Sequence, residues 1–388
     1  MSLTQDEVVI AGAVRTPMGG FGGALAPQSA TQLGAAVVRA AAERGGVAPA
    51  EVDEVLMGCV LPAGLGQAPA RQVAIGGGLP ASVPSTTINK VCGSGMKAVM
   101  SAADAVRAGS VDIVVAGGVE SMSNAPYLLA KARRGYRLGH GQLVDHMFLD
   151  GLEDAYDRGR SMGTFAEDTA AHYQFGRAEQ DDYALASLRR AKAAISSGRF
   201  ADEIVALDGL ATDEQPGLAK EEKIPQLRPA FREGGTITAA SSASISDGAA
   251  AMVLARRDIA DKRGMAPVAV LRGQTSHAGE PNWFTTAPVF AIRKLLQKLD
   301  WDVASVDLFE INEAFAVVPM VAMRELDIPH DRLNVNGGAC ALGHPLGCSG
   351  ARIVVTLIHA LKQSGGRRGI AAVCIGGGEA TAVGIELI

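Results

Sequence analysis

Apolar residues recur along this chain in two alternating patterns, short β-branched runs and longer stretches with helical spacing. The short runs predict strands at 7–14, 54–58, 86–91, 112–117, 250–254, 267–273, 306–311, 370–375 and 380–387. The longer stretches predict helices at 31–44, 96–109, 179–197, 289–299, 313–326 and 347–363, the first of them capped by Thr31. Because strands alternate with helices, we expect an α/β protein with parallel crossings and helices on the faces of its sheet.

The N-terminal and C-terminal parts of the chain show similar sequence features in the same order. The run 52–58 corresponds to 306–312, a Gly-flanked candidate residue follows in each half, and each half closes on a Gly-rich strand end. The candidate residues are Cys92 in the first half and His344 in the second. This order predicts an internal duplication, with the two residues on equivalent loops of similar domains. Ligands collect at strand carboxyl ends in such sheets, so we expect both residues at one cleft.

The segment 120–248 differs from both halves, because it is richer in charged and turn residues and carries one long polar helix. We interpret it as an insertion laid over the first α/β layer. The predicted division is an N-terminal domain of residues 1–119 and 249–272, an inserted loop domain of residues 120–248, and a C-terminal domain of residues 273–388.

Composition narrows the class of protein and of partner. A chain of 388 residues with 48% hydrophobic and 20% charged residues is typical of a compact globular enzyme. The net charge of −5 and the 4% aromatic content argue against nucleic acid and anionic membranes as partners. Five cysteines without paired spacing favour reduced thiols, and the sequence shows no signal pattern or membrane-spanning run. We therefore expect a soluble, cytoplasmic protein.

Cys92 lies at the seam between a predicted strand and the helix that follows it. Backbone N–H groups at a helix N-terminus and the positive end of the helix dipole stabilise a thiolate over a thiol. The seam therefore favours a reactive cysteine. Cysteine is also among the most commonly buried residue types, so the seam alone leaves an inert core position open.

Three stretches in the last third of the chain carry further candidate chemistry. Asn312 opens a predicted helix directly after a strand, where the default role of Asn is an N-cap. His344 lies between Gly343 and Pro345 in a Gly-dense loop that presents its side chain. Cys374 ends a strand before three glycines, whose bare backbone can offer N–H donors to an oxyanion, although Cys374 also fits a plain core position.

Four motifs together resemble those of the thiolases, specifically the acetyl-CoA acetyltransferase branch. They are Val-Cys-Gly-Ser-Gly at 91–95, Asn-Glu-Ala-Phe-Ala at 312–316, Gly-Gly-Ala-x-Ala-Leu-Gly-His-Pro-x-Gly-x-Ser-Gly-Ala-Arg at 337–352, and Cys-Ile-Gly-Gly-Gly at 374–378. The resemblance spans essentially the whole chain. It implies the thiolase fold, in which two similar α/β domains form a five-layered α/β/α/β/α sandwich with an inserted loop domain. It also implies a homotetramer built from tight dimers.

The resemblance assigns a role to each candidate by position. Cys92 would be the nucleophile acetylated by acetyl-CoA, and His344 would assist its deprotonation. Cys374 would be the acid/base that exchanges the α-proton of the second acetyl-CoA. One oxyanion hole would use His344 with a water held by Asn312, and the other would use the N–H groups of Cys92 and Gly376. The implied reaction is the reversible Claisen condensation of two acetyl-CoA to acetoacetyl-CoA plus CoA, with no metal and no permanently bound cofactor.

On the same grounds, contacts to coenzyme A or to the acyl group are expected from Met162, Ser242, Ala243, Ser244 and Phe284. Ala243 stands where a serine that contacts the pantetheine arm is usual, so a neighbouring serine would have to make a shifted contact. Ser161 stands where a histidine is common before Met162. Phe284 stands where a second pocket methionine is common, and its larger ring favours acetyl and acetoacetyl substrates.

Three other functions compete with this one. Residues 93–98 fit the G-x-G-x-x-A signature of dinucleotide-binding sites, but no acidic residue ends the next strand, which argues against an oxidoreductase. The second alternative is a thiolase relative that binds acyl-CoA but catalyses no reaction, and such a protein would not need the intact Cys92, His344 and Cys374. The third and most serious alternative is a thiolase for longer or substituted 3-ketoacyl-CoAs, which differs from an acetyl-CoA acetyltransferase in its chain-length preference.

Overall fold

A computed structural model of the chain describes residues 7–388. Its strands are β1 (Val8–Arg15), β2 (Gly19–Gly20), β3 (Glu54–Gly58), β4 (Ser85–Ile88), β5 (Ile113–Ser121), β6 (Tyr127–Leu128), β7 (Val144–Asp145), β8 (Ser246–Arg256), β9 (Ala269–Ala278), β10 (Leu308–Ile311), β11 (Arg368–Ile375) and β12 (Glu379–Leu387). Its helices are α1 (Ala30–Gly45), α2 (Pro69–Gly76), α3 (Ser94–Arg107), α4 (Met162–Tyr173), α5 (Arg177–Ser196), α6 (Glu214–Leu218), α7 (Arg257–Arg263), α8 (Ala287–Leu299), α9 (Val317–Leu326), α10 (Ala339–Leu342) and α11 (Leu346–Ser364).

Ten strands form one hydrogen-bonded sheet in the order β10-β11-β12-β9-β1-β8-β5-β3-β4, with β2 paired to β8. Strand β3 runs parallel to β4 and β5, and β10 runs parallel to β11, as the alternation of strands and helices predicted. Strand β9 meets β1 only at Val9 with Val270 and Ile10 with Ala269. The sheet therefore divides at this short seam into an N-terminal half, β4-β3-β5-β8-β1, and a C-terminal half, β9-β12-β11-β10.

Helices cover both halves of the sheet and also separate them. Helices α3 and α11 pack on each other and on strands of both halves, and their apolar residues fill one shared core. Helices α1 and α2 cover the outer face of the N-terminal half, and α8 and α9 cover the outer face of the C-terminal half. The layer order is α/β/α/β/α, which confirms the predicted five-layered sandwich of two similar α/β units.

The segment 120–248 lies between β5 and β8 and contains the β6–β7 ribbon and helices α4 to α6. Buried ion pairs join it to the first strand, because the Arg15 guanidinium contacts Glu203 at 2.5 Å and Asp213 at 2.6 Å with all three side chains out of solvent. The domain boundaries derived from the sequence remain predictions. Among residues 7–388, no helix is both long and apolar enough to cross a membrane.

Most element ends differ by a few residues from the sequence prediction, and three of these differences have a clear local cause. Helix α1 is capped by Ser29, not Thr31, because the Ser29 hydroxyl accepts the N–H of Gln32 in a capping box. Strand β4 ends at Ile88, since the next residues form a turn. Helix α9 begins at Val317 instead of 313, because the backbone of the preceding residues is hydrogen-bonded to another segment.

Candidate active site

The two candidate loops meet because helices α3 and α11 approach closely near their N-terminal ends. A Cβ added to Gly347 would lie 2.4 Å from the carbonyl oxygen of Val119, and one added to Gly95 would lie 2.8 Å from the carbonyl oxygen of Gly347. No side chain fits at either place, so glycine is needed for the two helices and β5 to pack. The Gly93–Gly95 pattern therefore serves helix packing, and it brings the loop of Cys92 beside the loop of His344.

Cys92 follows a tight turn in which Val91 has a φ of 45°. This left-handed conformation is strained for a β-branched residue. Local hydrogen bonds hold it: the Val91 N–H donates to the Asn89 side chain at 2.9 Å, and the Ser94 hydroxyl donates to the Val91 carbonyl at 2.6 Å. Helix α3 starts directly afterwards at Ser94, so Cys92 lies at a helix N-terminus as predicted.

The turn of Cys92 packs against the glycine hairpin, because a Cβ added to Gly93 would lie 2.3 Å from the Cδ1 atom of Ile375. Burial raises the pKa of the Cys92 thiol to about 11, and the nearby backbone N–H groups of Gly376 and Cys92 only partly offset that rise. Burial, and then the neighbouring Cys92, raise the pKa of Cys374 well above its ordinary value. The two thiols are therefore close together, and both are protonated near neutral pH.

His344 is buried and directly contacts two polar side chains. Its Nδ1 lies 2.5 Å from the Ser349 hydroxyl, and the Asn312 amide nitrogen lies 3.4 Å from its Nε2. Burial, and then the positive charge of Arg352, lower the pKa of His344 to about 3. The neutral imidazole of His344 has the protonation state that a general base needs.

The Asn312 loop is held by backbone pairing with the segment that precedes β8. The Ala243 N–H donates to the carbonyl of Ala314 at 2.9 Å, and the Ala316 N–H donates to the carbonyl of Ser241 at 2.8 Å. Asn312 is therefore not a helix N-cap, and that interpretation is wrong. Its side-chain oxygen is buried without a hydrogen-bond partner among the described residues, so it can accept a hydrogen bond from a water or a substrate.

The segment 242–244 also touches the His344 loop, because the His344 N–H donates to the carbonyl of Ser244 at 3.0 Å. The Ser242 hydroxyl donates to the carbonyl of Thr238 at 2.8 Å, whereas the Ser244 hydroxyl is buried without a partner in the described part of the chain. Of the two serines that flank Ala243, only Ser244 therefore has a hydroxyl free for a ligand.

Ser244 also lines a cavity of about 380 Å³ that extends from the His344 loop toward the surface. Apolar side chains form most of its wall, among them Leu188, Ile224 and Leu227, and Lys220 and Lys223 lie along it with exposed side chains. The cavity thus combines an apolar channel with a positive charge near its opening. This arrangement fits a long ligand with an uncharged arm and an anionic end.

A second cavity, of about 430 Å³, opens beside Cys92 and contains Met162, Val91 and Gly376 in its wall. The rest of its wall combines apolar residues, among them Leu149, Ala155 and Ile375, with charged and polar ones, among them Lys90, Asp150, Glu153, Asp154, Tyr156, Arg158 and Glu379. Phe284 does not line this cavity. It is buried with its ring centroid 6.5 Å from that of Phe165 and 6.4 Å from that of Phe315.

Sequence reasoning missed one buried carboxylate of this site, Glu120. Glu120 is fully buried at the end of β5 and accepts N–H bonds from Val60, Leu61 and Gly347, so it joins the start of α11 to the loop after β3. Burial raises the pKa of Glu120 to about 7. The only sequence signal was a carboxylate at a strand end, and its partners are distant along the chain. No cluster of three or more potential metal ligands occurs within residues 7–388.

Comparisons with known proteins agree with this geometry. Residues 8–258 match the sequence profile of the thiolase N-terminal domain, and residues 265–387 match that of the thiolase C-terminal domain. Acetyl-CoA acetyltransferase 2 of Arabidopsis thaliana is 49% identical over 398 residues, which cover 100% of this chain and 98% of that protein. Acetyl-CoA acetyltransferase of Chromobacterium violaceum is 47% identical, with 98% and 99% covered.

Solved structures give the same result. The Bacillus anthracis acetyl-CoA acetyltransferase superposes with a TM-score of 0.95 at 42% identity, covering 98% of this chain and 99% of that chain. The Acat5 thiolase of Ascaris suum, solved in complex with coenzyme A, superposes with a TM-score of 0.95 at 44% identity, covering 98% and 100%. The similarity therefore extends over both halves of the sandwich and over the inserted segment.

Proposed function

The chain belongs to the thiolase family, and on that premise we propose that it is an acetyl-CoA acetyltransferase that condenses two acetyl-CoA to acetoacetyl-CoA and CoA. The observation that carries the proposal is the packing of the Cys92 turn against the hairpin of Cys374 and Gly376, where a Cβ added to Gly93 would lie 2.3 Å from the Cδ1 atom of Ile375. This packing supports a site that combines a nucleophile, the N–H groups of Cys92 and Gly376, and a second thiol. Acyl transfer followed by carbon–carbon bond formation uses each of these groups.

In the first half reaction, the sulfur of Cys92 attacks the thioester carbonyl of acetyl-CoA while its proton passes to the neutral imidazole of His344. The tetrahedral oxyanion is stabilised by His344 and a water on Asn312. When the intermediate collapses, the carbon–sulfur bond to CoA breaks and the proton held by His344 goes to the leaving sulfur. An acetyl-cysteine and free CoA result, with the proton count unchanged.

In the second half reaction, Cys374 first transfers its proton to His344 and then takes an α-proton from the second acetyl-CoA. The resulting carbanion attacks the acetyl group on Cys92, whose oxyanion faces the N–H groups of Cys92 and Gly376. Collapse releases acetoacetyl-CoA and the Cys92 thiolate, which recovers the proton from His344. Both thiols and the neutral imidazole are thereby restored.

We assign the CoA moiety to the cavity of about 380 Å³ next to Ser244. Its apolar wall suits the pantetheine arm, the unpartnered Ser244 hydroxyl can bond an arm amide, and Lys220 and Lys223 can face the phosphates. Ser244 would thus replace the contact that Ala243 cannot make. CoA acts here as substrate and product, and acetyl-CoA and acetoacetyl-CoA are the proposed small-molecule partners.

The charged wall of the cavity beside Met162 favours short acyl groups, because a long alkyl chain there would desolvate charged side chains. We expect thiolysis to be fastest with acetoacetyl-CoA and to fall along a series of 3-ketoacyl-CoAs of increasing chain length. The measurement is kcat/KM for each member of the series at saturating CoA. Faster cleavage of the long chains would instead identify a degradative 3-ketoacyl-CoA thiolase.

Two cysteine variants separate the proposed roles. We expect Cys92→Ser to lose both thiolysis and covalent labelling by [¹⁴C]acetyl-CoA, because it removes the acyl acceptor. We expect Cys374→Ser to keep the label and lose condensation, because it removes only the proton acceptor. The buried Cys348→Ser is the matched control. Label that persists in the Cys92 variant would disprove the mechanism.

Self-association and a cytoplasmic setting complete the proposal. Among the described residues, strand β4 pairs only with β3 and ends the sheet, and the segment 127–148 exposes Tyr127, Leu129, Leu138 and Leu143. An open strand edge and exposed apolar side chains support assembly into the proposed homotetramer. Light scattering coupled to gel filtration measures the mass directly. The five unpaired cysteines support a reducing compartment, which subcellular fractionation can check.

A further inference from the structure

An ion pair between Lys90 and Glu379 bridges the two loops that meet at Cys92. Lys90 lies two residues before Cys92, in the turn before α3, and Glu379 follows the three glycines that begin with Gly376. The ammonium and carboxylate groups are in direct contact, and their side chains are 23% and 35% exposed. The pair lies in the wall of the cavity beside Cys92 and has no role in the proposed chemistry.

Glu379 is held firmly on its side of the pair. It pairs with Ile375 on β11 across the glycine hairpin and with Ala278 on β9, so both neighbouring strands fix its backbone. Burial of Ile375 in the core fixes the base of the hairpin as well. The backbone of Glu379 therefore gives its side chain a fixed starting point at the beginning of β12, an interior strand of the C-terminal half.

Lys90 belongs to a turn that needs support. Val91 next to it is strained at a φ of 45°, and its conformation determines the direction of the Cys92 side chain. The Lys90 backbone is also engaged, because its N–H donates to the Ser94 hydroxyl at 2.8 Å and its carbonyl accepts the Gly93 N–H at 3.0 Å. Strained conformations persist only where several contacts fix them together.

We infer that Lys90 and Glu379 are positioning residues, whose ion pair fixes the Cys92 turn against the glycine hairpin so that the Gly376 N–H stays aligned with the reacting sulfur. The inference rests on the proposed acyl transfer at Cys92. The ion pair adds to the packing of Gly93 on Ile375, because the turn and the hairpin belong to different halves of the sheet and, within residues 7–388, no strand pairing joins them. A small error in the alignment of nucleophile and oxyanion donor has a large kinetic cost.

The test uses the full-length enzyme with Lys90→Glu, Glu379→Lys and the exchanged double variant. We expect each single variant to lower kcat for acetoacetyl-CoA thiolysis and the rate of Cys92 acetylation by about tenfold to a hundredfold. The KM for CoA should stay unchanged, because the pair lies away from the proposed CoA cavity. The double variant should recover most of the loss, since it restores the ion pair with the charges reversed.

Arg293→Glu is the matched control, because Arg293 forms a 2.9 Å ion pair with Glu325 between α8 and α9, far from Cys92 in the fold. It should leave kcat unchanged. The stoichiometry of acetyl label should stay at that of the wild type in every variant, which separates slower chemistry from unfolded protein. If a reversed variant unfolds, Lys90→Met and Glu379→Gln remove the ion pair without repulsion; each should lower kcat, and the double variant should lose no more than either single variant.

The outcomes are distinct. Single variants as active as the wild type would overturn the inference. An exchanged double variant as slow as the singles would also overturn it, because it would mean that the Lys90 charge acts on the thiolate itself. If the wild type takes no acetyl label, the proposed function fails instead, whatever the Lys90 and Glu379 variants do.

Discussion

Two opposing influences act on the thiol of Cys92. The N–H groups at the start of α3 and in the glycine hairpin favour the thiolate, as the position of Cys92 in the sequence predicted, but burial favours the thiol and has the larger effect. In the proposed mechanism, Cys92 is therefore a protonated nucleophile that depends on a base. His344, kept neutral by burial and by Arg352, has the protonation state that this role requires.

This balance predicts how the reactivity of Cys92 depends on pH. Below a pKa of about 11, the thiolate fraction grows with each pH unit, so alkylation of Cys92 by iodoacetamide should rise about tenfold per unit from pH 7 to pH 10. The measurement is the alkylation rate of the Cys92 peptide by mass spectrometry, with Cys92→Ser giving the background. A rate that is flat from pH 7 to pH 9 would show a standing thiolate and contradict the expectation.

The motifs supplied Cys92, His344 and Cys374 because each stands among glycines at a strand or helix end, a local pattern that sequence alone reveals. They did not supply Glu120 or the pair of Lys90 with Glu379. Those contacts join residues far apart in sequence, and a charged residue beside a turn is ordinary in any sequence. Phe284 shows the reverse difficulty, because an apolar residue next to a binding motif can equally pack into the core.

At the scale of elements, the active site depends on how closely α3 and α11 approach. Each helix begins at one of the two proposed catalytic loops, so a change in the separation of the helices changes the distance between Cys92 and His344. Glycines at the contact leave no room for adjustment, since Gly347 abuts both β5 and α3. Packing of this kind transmits small displacements instead of absorbing them.

Replacement of Gly347 by Ala should therefore affect both stability and catalysis. The new methyl group would meet the Val119 carbonyl oxygen at 2.4 Å and the Cys59 Cα at 2.9 Å, and overpacking of this kind costs about 1–3 kcal/mol. We expect a lower thermal midpoint and a lower kcat. Gly217→Ala is the control for stability, because Gly217 also lies in a helix and its added methyl group meets nothing within 4 Å. Equal midpoints in the two variants would contradict the packing argument.

Most helices and strands could be predicted from the sequence, because their apolar periodicity is strong. The residues at which they begin and end could not be predicted. The start of α9 is the clearest case. Residues 313–316 have the composition of a helical turn, but their backbone pairs with the segment before β8, a contact that no local pattern encodes. That pairing frees the Asn312 side chain from a capping role.

At the scale of the whole molecule, net charge and local charge differ. The chain carries a net charge of −5, yet Lys220 and Lys223 lie together along the proposed CoA cavity. The acidic balance argues against polyanions in general but does not exclude one small anion at one place. The positive charge of these lysines recognises the phosphorylated end of a ligand and not the end that carries its reactive group.

Reversal of both lysine charges should weaken CoA binding. For Lys220→Glu with Lys223→Glu we expect the KM for CoA to rise about tenfold at low salt, since exposed charge pairs are worth up to about 1 kcal/mol each, while kcat stays unchanged. The same assay with N-acetylcysteamine and its acetoacetyl thioester, which carry no phosphate, should not distinguish the variant from the wild type. If the variant were impaired equally with CoA and with N-acetylcysteamine, the phosphates of CoA would not bind at Lys220 and Lys223.

The layered architecture was predictable through the repeated order of features in the two halves, together with the family resemblance. The structure confirms the five layers and locates the central one in α3 and α11. The sequence did not reveal that the two half-sheets join edge to edge through two residue pairs of β1 and β9. Two residue pairs are too few to produce a recognisable pattern of apolar and polar residues in the sequence.

The buried carboxyl group of Glu120 couples folding to the uptake of a proton. Its carboxyl has a pKa of about 7 in the native protein against an ordinary value of 4.5, so near pH 6 the folded chain holds a proton that the unfolded chain releases. Stability from this group is complete below about pH 4.5 and declines as the pH rises through about 7. Glu310, whose pKa burial raises to about 8, acts in the same direction.

The heat of unfolding at pH 6 should consequently depend on the ionisation enthalpy of the buffer that receives these protons. Calorimetry in two buffers of different ionisation enthalpy, compared at the same thermal midpoint, gives the number of protons released on unfolding. For Glu120→Gln this number should be lower by close to one. A count that the substitution leaves unchanged would mean that the three N–H groups around Glu120 keep it ionised. The carboxylate that joins α11 to the sheet would then be a permanent charge instead of an internal buffer.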